Sequence, residues 1–329
     1  MPWMRKARAC LGTLLVVKQH NFMNPEDTCQ LLVARYAIVV SFAAGAVLAL
    51  MPGPTVALMG GTVDSSGAYR AVVVIFDGSG TYCSATKIAP RRFLTAGHCV
   101  VDRGNGDLLP TFRRGATLQI SNAPVPRAAR DVIRVYVQQT QLPPAFKQGL
   151  QRCVAYKQVQ IADFSRRLVG AELQRRIESL QTNPHFTTKY PDAAVITLQT
   201  ETGEIPQAQL DLNPLRKGDT VTLVGYGCDD LARKETDTLQ NPYGVRRFGT
   251  SDVIRVDPVN FYSFGRAMRP DAPSLCPGDS GGPVLRNGSV VGIHGTVHGV
   301  ALRNGANSNM SVNLSNLATW PALDTQPGQ

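Results

Sequence analysis

Residues 275–284 read LCPGDSGGPV, and this stretch decides how the rest of the chain is interpreted. It places Ser280 among three glycines, directly after Asp279. Glycines let backbone N–H groups approach a bound group closely, and a serine among them is a candidate nucleophile. The alternative is a glycine turn that contains a serine by chance. A base and an acid elsewhere in the chain are needed before the first interpretation is preferred.

The sequence around Ser280 also fits G-x-S-x-G, the nucleophile turn of the α/β-hydrolases. That fold requires the acid and the histidine to follow the serine. His294 and His298 do follow Ser280, but neither this segment nor the preceding chain shows alternating strands and helices. The α/β-hydrolase interpretation is therefore rejected.

The order histidine, acid, serine fits better. His98 lies in FLTAGHCV (93–100), and Asp192 directly precedes the apolar run AAVITL. A carboxylate that enters a buried strand needs a partner, and an imidazole N–H supplies one. We therefore expect His98 to deprotonate Ser280 and Asp192 to fix the tautomer of His98. The N–H groups of Gly278 and Ser280 are the expected oxyanion donors.

Short runs rich in Val, Ile and Thr, bounded by Gly and Pro turns, predict an all-β barrel or sandwich. One region, 147–181, instead carries apolar residues at helical spacing and is predicted to be helical. Residues 313–323 predict a short closing helix, and the tail 323–329 is predicted to be disordered. The predicted strands fall within residues 71–77, 87–100, 116–120, 131–137, 193–198, 219–227, 282–285 and 289–295.

Charge and cysteine usage exclude several classes of function. The net charge of +10 favours acidic partners in general, but no basic helix or interleaved aromatic residues indicate nucleic-acid binding. The seven cysteines form no CxxC pair and no histidine cluster has metal-ligand spacing, so neither a metal nor a cofactor is predicted. Well-separated cysteines in a secreted chain indicate disulfides.

Residues 36–63 carry no charge, and their apolar part is broken by Pro52-Gly53-Pro54. The break comes before the roughly 20 apolar residues that a membrane span needs, so a cleaved signal is favoured over an anchor. We therefore predict that residues 1–57 are a signal or pro segment, with Met23 as a possible true start. The mature protein is expected to be secreted or periplasmic, without stable membrane association.

LTAGHC, DAAVITL and GDSGGP, in this order, resemble the trypsin/chymotrypsin-like serine proteases, in particular their secreted bacterial type. The similarity runs from about residue 58 to about residue 322. It implies two six-stranded antiparallel β-barrels with His98, Asp192 and Ser280 in the cleft between them. The wide spacing between His98 and Asp192 then makes 147–181 a helical insertion. Whether this insertion restricts substrates at the cleft rim or has no effect on the site is left open.

The resemblance also implies disulfides. Cys83 and Cys99 match the family's disulfide beside the histidine. The cysteine that corresponds to Cys276 normally finds a partner further downstream, but no cysteine follows it here. Cys228 is the best candidate partner, which leaves Cys153 over.

LMGG, which begins at Leu58, is similar to the mature N-terminus of the family, which usually begins with isoleucine or valine. In the family the new amino group pairs with the aspartate that corresponds to Asp279. Cleavage after Ala57 would then remove the targeting segment and activate the enzyme. A glycine turn after a signal is the alternative interpretation.

Substrate preference stays open between acidic, apolar and basic side chains. The residue that corresponds to the base of the specificity pocket is Ser274, which removes the main support for a preference for Arg or Lys. GIHG (292–295) resembles the pocket strand of glutamyl endopeptidases, so His294 and Gly295 are candidate substrate contacts. Leu275 stands where a hydroxyl residue is expected beside the pocket base.

The sequence therefore predicts a monomeric serine endopeptidase that acts on protein or peptide substrates without a cofactor. Two alternatives remain. One is a protease-fold binding or adhesion protein without activity, and the other is an esterase that uses the same triad.

Overall fold

The computed structural model describes residues 58–76, 82–126, 129–182, 189–228, 244–299 and 307–324. The predicted signal segment 1–57 and most of the predicted tail, from residue 325 onward, lie outside the described residues. No helix of the described part is both long and apolar enough to span a membrane.

The first barrel follows a two-residue strand, β1 (Thr62–Val63), and is built from six short strands rich in β-branched residues. They pair antiparallel in a closed ring in the order β2-β3-β4-β7-β6-β5, which confirms the barrel expected from the resemblance. The strands are β2 (Val72–Phe76), β3 (Tyr82–Ala89), β4 (Arg92–Thr95), β5 (Thr117–Ser121), β6 (Ile133–Gln141) and β7 (Ala194–Leu198).

The second barrel has the order β9-β10-β13-β12-β11-β8 and closes where β8 pairs with β9. It is also antiparallel, and β1 pairs with Arg247 and Phe248 at the start of β9. Both six-stranded barrels of the expected fold are thus present. The strands are β8 (Thr220–Gly225), β9 (Arg247–Val256), β10 (Asn260–Ser263), β11 (Pro283–Arg286), β12 (Ser289–Gly299) and β13 (Asn307–Asn313).

Two helices, α1 (Pro144–Arg167) and α2 (Gly170–Thr182), lie between β6 and β7, which confirms the helical prediction for 147–181. The chain breaks between them because Leu168 is extended and Gly170 has a φ of 59°, which a glycine adopts without a steric penalty. One apolar stripe of α1 packs onto the core of the first barrel. Its buried apolar side chains are Phe146, Leu150 and Val154.

The C-terminal segment forms two short 3₁₀ turns, Leu314–Leu317 and Pro321–Leu323, where the sequence predicted one short helix. A proline disfavours the α conformation of the residue before it, and Trp320 is accordingly extended. Leu323, at the start of the predicted tail, is buried in the first-barrel core.

A fully buried ion pair joins the N-terminal strand region to both barrels. Arg246 Nε donates to Asp64 Oδ2 over 2.8 Å, and neither side chain is exposed to solvent. The same guanidinium donates through Nη1 to Asn122 O at 2.7 Å and to the Tyr226 hydroxyl at 3.1 Å. A buried charge is tolerated only when such partners are present.

We predict that Asp64→Asn destabilises the protein by about 3–5 kcal/mol, since it leaves the buried Arg246 charge without its counter-ion. Burial favours a higher pKa for Asp64, but the Tyr69 amide and the charge of Arg246 hold the pKa below its ordinary value of 3.8. The stabilisation is therefore complete above pH 3.8 and is lost as the pH falls through the lower folded-state pKa. Urea unfolding at several pH values measures it.

Asp252→Asn is the matched control. Asp252 pairs with Arg269 over 2.9 Å, but its side chain is 39% exposed, so its removal should cost less than about 1 kcal/mol. Equal losses in the two variants would contradict the role assigned to the buried pair.

Candidate active site

The base and the acid predicted from the sequence lie in direct contact. β4 and β7 are paired neighbours, so the turn that carries His98 after β4 meets Asp192, which stands just before β7. Asp192 is 1% exposed, and His98 Nδ1 lies 2.6 Å from its Oδ2. Its other oxygen, Oδ1, accepts from the backbone N–H of His98 at 2.8 Å. Because a carboxylate only accepts, the ring proton sits on Nδ1 and Nε2 is left as an acceptor.

Ser280 lies on the loop before β11, and this loop is fixed by β12. The Gly281 N–H donates to His294 O at 2.9 Å, and the His294 N–H donates back to Gly282 O at 2.8 Å. The Ser280 hydroxyl donates to Gly295 O over 3.4 Å. Ser280, His98 and Gly295 all line one cavity of about 680 Å³.

The carbonyl groups of residues 277–280 all accept a hydrogen bond, so the orientation of every peptide in the loop is set. The N–H groups of Gly278 and Ser280, the predicted oxyanion donors, donate to no carbonyl within the described ranges. The donors to these carbonyls are Cys228 N for Pro277 (3.1 Å), Ser84 Oγ for Gly278 (2.9 Å), Gly282 N for Asp279 (2.9 Å) and Ser84 N for Ser280 (2.8 Å).

Two disulfides brace this loop and the histidine turn. Cys83 is bonded to Cys99, next to His98, and Cys228 is bonded to Cys276. Both pairings confirm the expectation from the sequence, and Cys153 is a free, half-buried thiol. The Cys83, His98 and Cys99 side chains are close enough to share a metal ion, but both sulfurs are consumed by the disulfide.

Asp279 is fully buried, as the activation hypothesis requires. Its carboxylate accepts from Gly227 N at 2.7 Å and from Cys276 N at 2.8 Å. Burial raises its pKa to about 7, although both N–H groups and the charge of Arg247 act in the opposite direction. Such a carboxylate still favours a nearby cation.

The Leu58 segment is seated in the second barrel. Leu58 is fully buried in a core cluster that includes Leu275 and Val284. Met59 forms a bridge with Ser274, whose N–H donates to Met59 O at 2.8 Å. The expected mature N-terminal residues thus lie beside the cavity, while the preceding residues lie outside the described part of the chain.

Of the candidate specificity residues, Ser274 lines the cavity and His294 does not. Ser274 lines the cavity, and its hydroxyl accepts from Arg266 N over 2.6 Å. His294 is fully buried and does not line the cavity, because its Nε2 faces Val224 O at 3.1 Å. Burial lowers the pKa of His294 to about 3, so this imidazole is neutral. The geometry does not bring it to a substrate carboxylate.

Three residues near the site carry no signal in the sequence. Arg103 and Arg266 line the cavity, and both lie outside the three motifs. Ser84 donates to Gly278 O, in the loop that carries Ser280. For Ser84 the sequence gives one indirect indication. It directly follows Cys83, whose disulfide flanks His98.

The family model described as Trypsin matches residues 151–320. The chain belongs to the trypsin family. The matched range includes Asp192 and Ser280, whereas His98 precedes it. Solved structures share the trypsin-family fold at low sequence identity.

A mutant of human heparin binding protein (CAP37) is 14% identical, covers 82% of this chain and 98% of its own, and has a TM-score of 0.53. An atomic-resolution structure of HBP is also 14% identical, covers 82% of this chain and 99% of its own, and has a TM-score of 0.51. No curated protein matches the chain.

Crowding around Gly281 predicts a test of the loop geometry. Gly281 has a φ of 83°, and a Cβ there would overlap Thr95 Oγ1 and Ser84 O. We expect Gly281→Ala to lower the free energy of unfolding by several kcal/mol, beyond the roughly 1–3 kcal/mol of backbone strain. Urea unfolding of the variant measures this loss.

Gly218→Ala isolates the backbone strain, because Gly218 has a φ of 93° and a Cβ at this position would have no neighbouring atom within 4 Å. Gly281→Ala should cost clearly more, or prevent folding under conditions in which Gly218→Ala folds. Equal losses would show that the loop is not packed as described.

Proposed function

We propose that the protein is a secreted serine endopeptidase that hydrolyses peptide bonds through His98, Asp192 and Ser280. The observation that carries the proposal is the double contact of Asp192. Both of its oxygens are used by His98, one by the backbone N–H and one by Nδ1. This contact leaves His98 Nε2 as the acceptor in the cavity that also contains Ser280.

The proposed reaction begins when Ser280 Oγ attacks the substrate carbonyl carbon and its proton moves to His98 Nε2. The hydroxyl, which donates to Gly295 O in this structure, must turn toward Nε2 for this step. The oxyanion then accepts from the N–H groups of Gly278 and Ser280. His98 returns the proton to the leaving amine, and the acyl group stays on Ser280.

Deacylation repeats the sequence with water. His98 Nε2 takes a proton from the water molecule, whose oxygen attacks the acyl carbon, and then returns that proton to Ser280 Oγ as the ester bond breaks. Asp192 stabilises the imidazolium in both halves of the reaction without taking up its proton.

We further propose that cleavage after Ala57 activates the enzyme. Cleavage would give Leu58 a cationic amino group, and Asp279 is a buried carboxylate to which such a group is suited. The seating of Leu58 and Met59 in the second barrel supports this proposal. Secretion agrees with the two disulfides, which form and persist in oxidising compartments.

The cavity favours substrates with acidic or apolar side chains over basic ones. Ser274 supplies no charge at the pocket, and among the described residues that line the cavity the charged side chains are those of Arg103 and Arg266. A lysine or arginine side chain would meet like charge there. A non-catalytic binding protein is the second candidate, since the similar solved structures include one named for heparin binding. The charge also suits it, because residues 1–57 account for +3 of the net charge of +10 and the rest of the chain keeps +7.

The proposal predicts that a fluorophosphonate labels the secreted protein and that Ser280→Ala abolishes this labelling, because the reagent needs an activated hydroxyl. The N-terminus is sequenced on the same sample. Labelling of a chain that begins at Leu58 would support both the nucleophile and activation. An unlabelled chain that begins at Leu58 would contradict the enzyme and favour the binding protein.

A peptide library and a panel of simple esters, tested on the labelled form, separate a peptidase from an esterase. Peptide cleavage that disappears in Ser280→Ala is the expected result. Ester hydrolysis without peptide cleavage would contradict the peptidase.

A further inference from the structure

We propose that helix α1 of the insertion is a positioning element for the catalytic base and its acid, with Phe146 as the principal positioning residue. The inference rests on the proposed function, and it answers what the insertion does. The insertion lies between β6 and β7, and Gln141 at the end of β6 pairs with Val195 on β7, so the first helix starts next to the strand that follows Asp192.

Phe146 packs against the two segments that carry the base and the acid. A Cβ on Gly97, the residue before His98, would lie 2.6 Å from Phe146 Cε1 and 3.1 Å from Ala193 O. The ring therefore occupies the space where a side chain of residue 97 would be, at the junction of the His98 turn with the residue after Asp192. Phe146 is fully buried, so this contact is shielded from water.

A second aromatic contact lies on the same face of α1. A Cβ on Gly149 would overlap the ring of Tyr190, which stands two residues before Asp192. Each contact thus depends on a glycine. Gly97 in the turn leaves room for the Phe146 ring, and Gly149 in the helix leaves room for the Tyr190 ring. α1 holds the turn of the base through Phe146 and the segment of the acid through Tyr190.

Further along α1, Leu150 and Val154 lie over Gly106, in the loop after His98. The two aromatic contacts lie in the first two turns of α1, so the length of the contact between His98 and Asp192 is most sensitive to this part of the helix. A shift of a few tenths of an ångström there would lengthen the 2.6 Å contact between His98 Nδ1 and Asp192 Oδ2.

The test uses the full processed chain with Phe146→Ala, and Phe112→Ala as the matched control. Phe112 is 1% exposed and belongs to the same core cluster, but it lies on the turn Pro110–Phe112, outside α1 and outside the two segments that carry His98 and Asp192. The two variants should lose similar stability, since each removes a buried phenylalanine ring. Phe146→Ala should lower kcat at least tenfold with KM within twofold, whereas Phe112→Ala should leave kcat within threefold.

Two further variants guard against a folding defect. Phe146→Leu keeps most of the apolar volume and should recover kcat to within about threefold of the wild type. Gly149→Ala favours the helix but displaces the Tyr190 ring, so it should lower kcat while the helix stays folded. Equal kcat losses in Phe146→Ala and Phe112→Ala, or wild-type kcat in Gly149→Ala, would overturn the proposal.

A readout that does not need turnover separates this inference from the proposed function. The proton NMR resonance of His98 Nδ1–H reports the contact with Asp192 even in a chain without activity. Phe146→Ala should shift this resonance, and Phe112→Ala should not. An inactive wild type would contradict the proposed function alone, whereas an unchanged resonance in Phe146→Ala would contradict the positioning role alone.

Discussion

Ser84 joins the two barrels at the point where the candidate site forms. It belongs to β3 of the first barrel, but its N–H donates to Ser280 O and its hydroxyl to Gly278 O. The same hydroxyl accepts from Tyr226 N, at the end of β8 in the second barrel. The residue before it, Cys83, is tied by its disulfide to the turn of His98. Two adjacent residues thus connect the turn of the candidate base in one barrel to the loop of the candidate nucleophile in the other. The proposed reaction needs these two groups to be held rigidly at short range.

Buried charge is concentrated where segments distant in the chain meet. The Asp64–Arg246 pair joins the segment after β1 to both barrels, and Asp279 lies beneath the nucleophile loop. Each costs desolvation energy, which partners must offset. Asp64 has an arginine in contact, whereas the contacts of Asp279 are two backbone N–H groups with Arg247 acting through its charge. This difference is the physical reason for proposing that Asp279 gains a cation when the chain is cut before Leu58.

The sequence predicted local features well and long-range placements poorly. Motifs place His98 and Ser280 because glycines and cysteines fix the backbone around them, and both disulfides follow from the same resemblance. β9 and β10 were missed because polar residues interrupt their apolar pattern, although the two strands pair with each other across a short turn. His294 was a candidate substrate contact, but its ring faces Val224 O on β8, a contact that no pattern within β12 reveals. The packing of Phe146 on Gly97 likewise depends on tertiary contact rather than on helical spacing.

In the proposed active site, Asp192 holds the proton of His98 on Nδ1 and so leaves Nε2 for Ser280. Proton NMR of the His98 ring tests this arrangement directly. A proton in a short, charge-assisted hydrogen bond exchanges slowly with water, and its resonance lies far downfield. The 2.6 Å separation predicts such a resonance from Nδ1–H in the wild type, lost in His98→Ala and strongly shifted in Asp192→Asn. A wild type without this resonance, or an Asp192→Asn variant that retains it unchanged, would contradict the account.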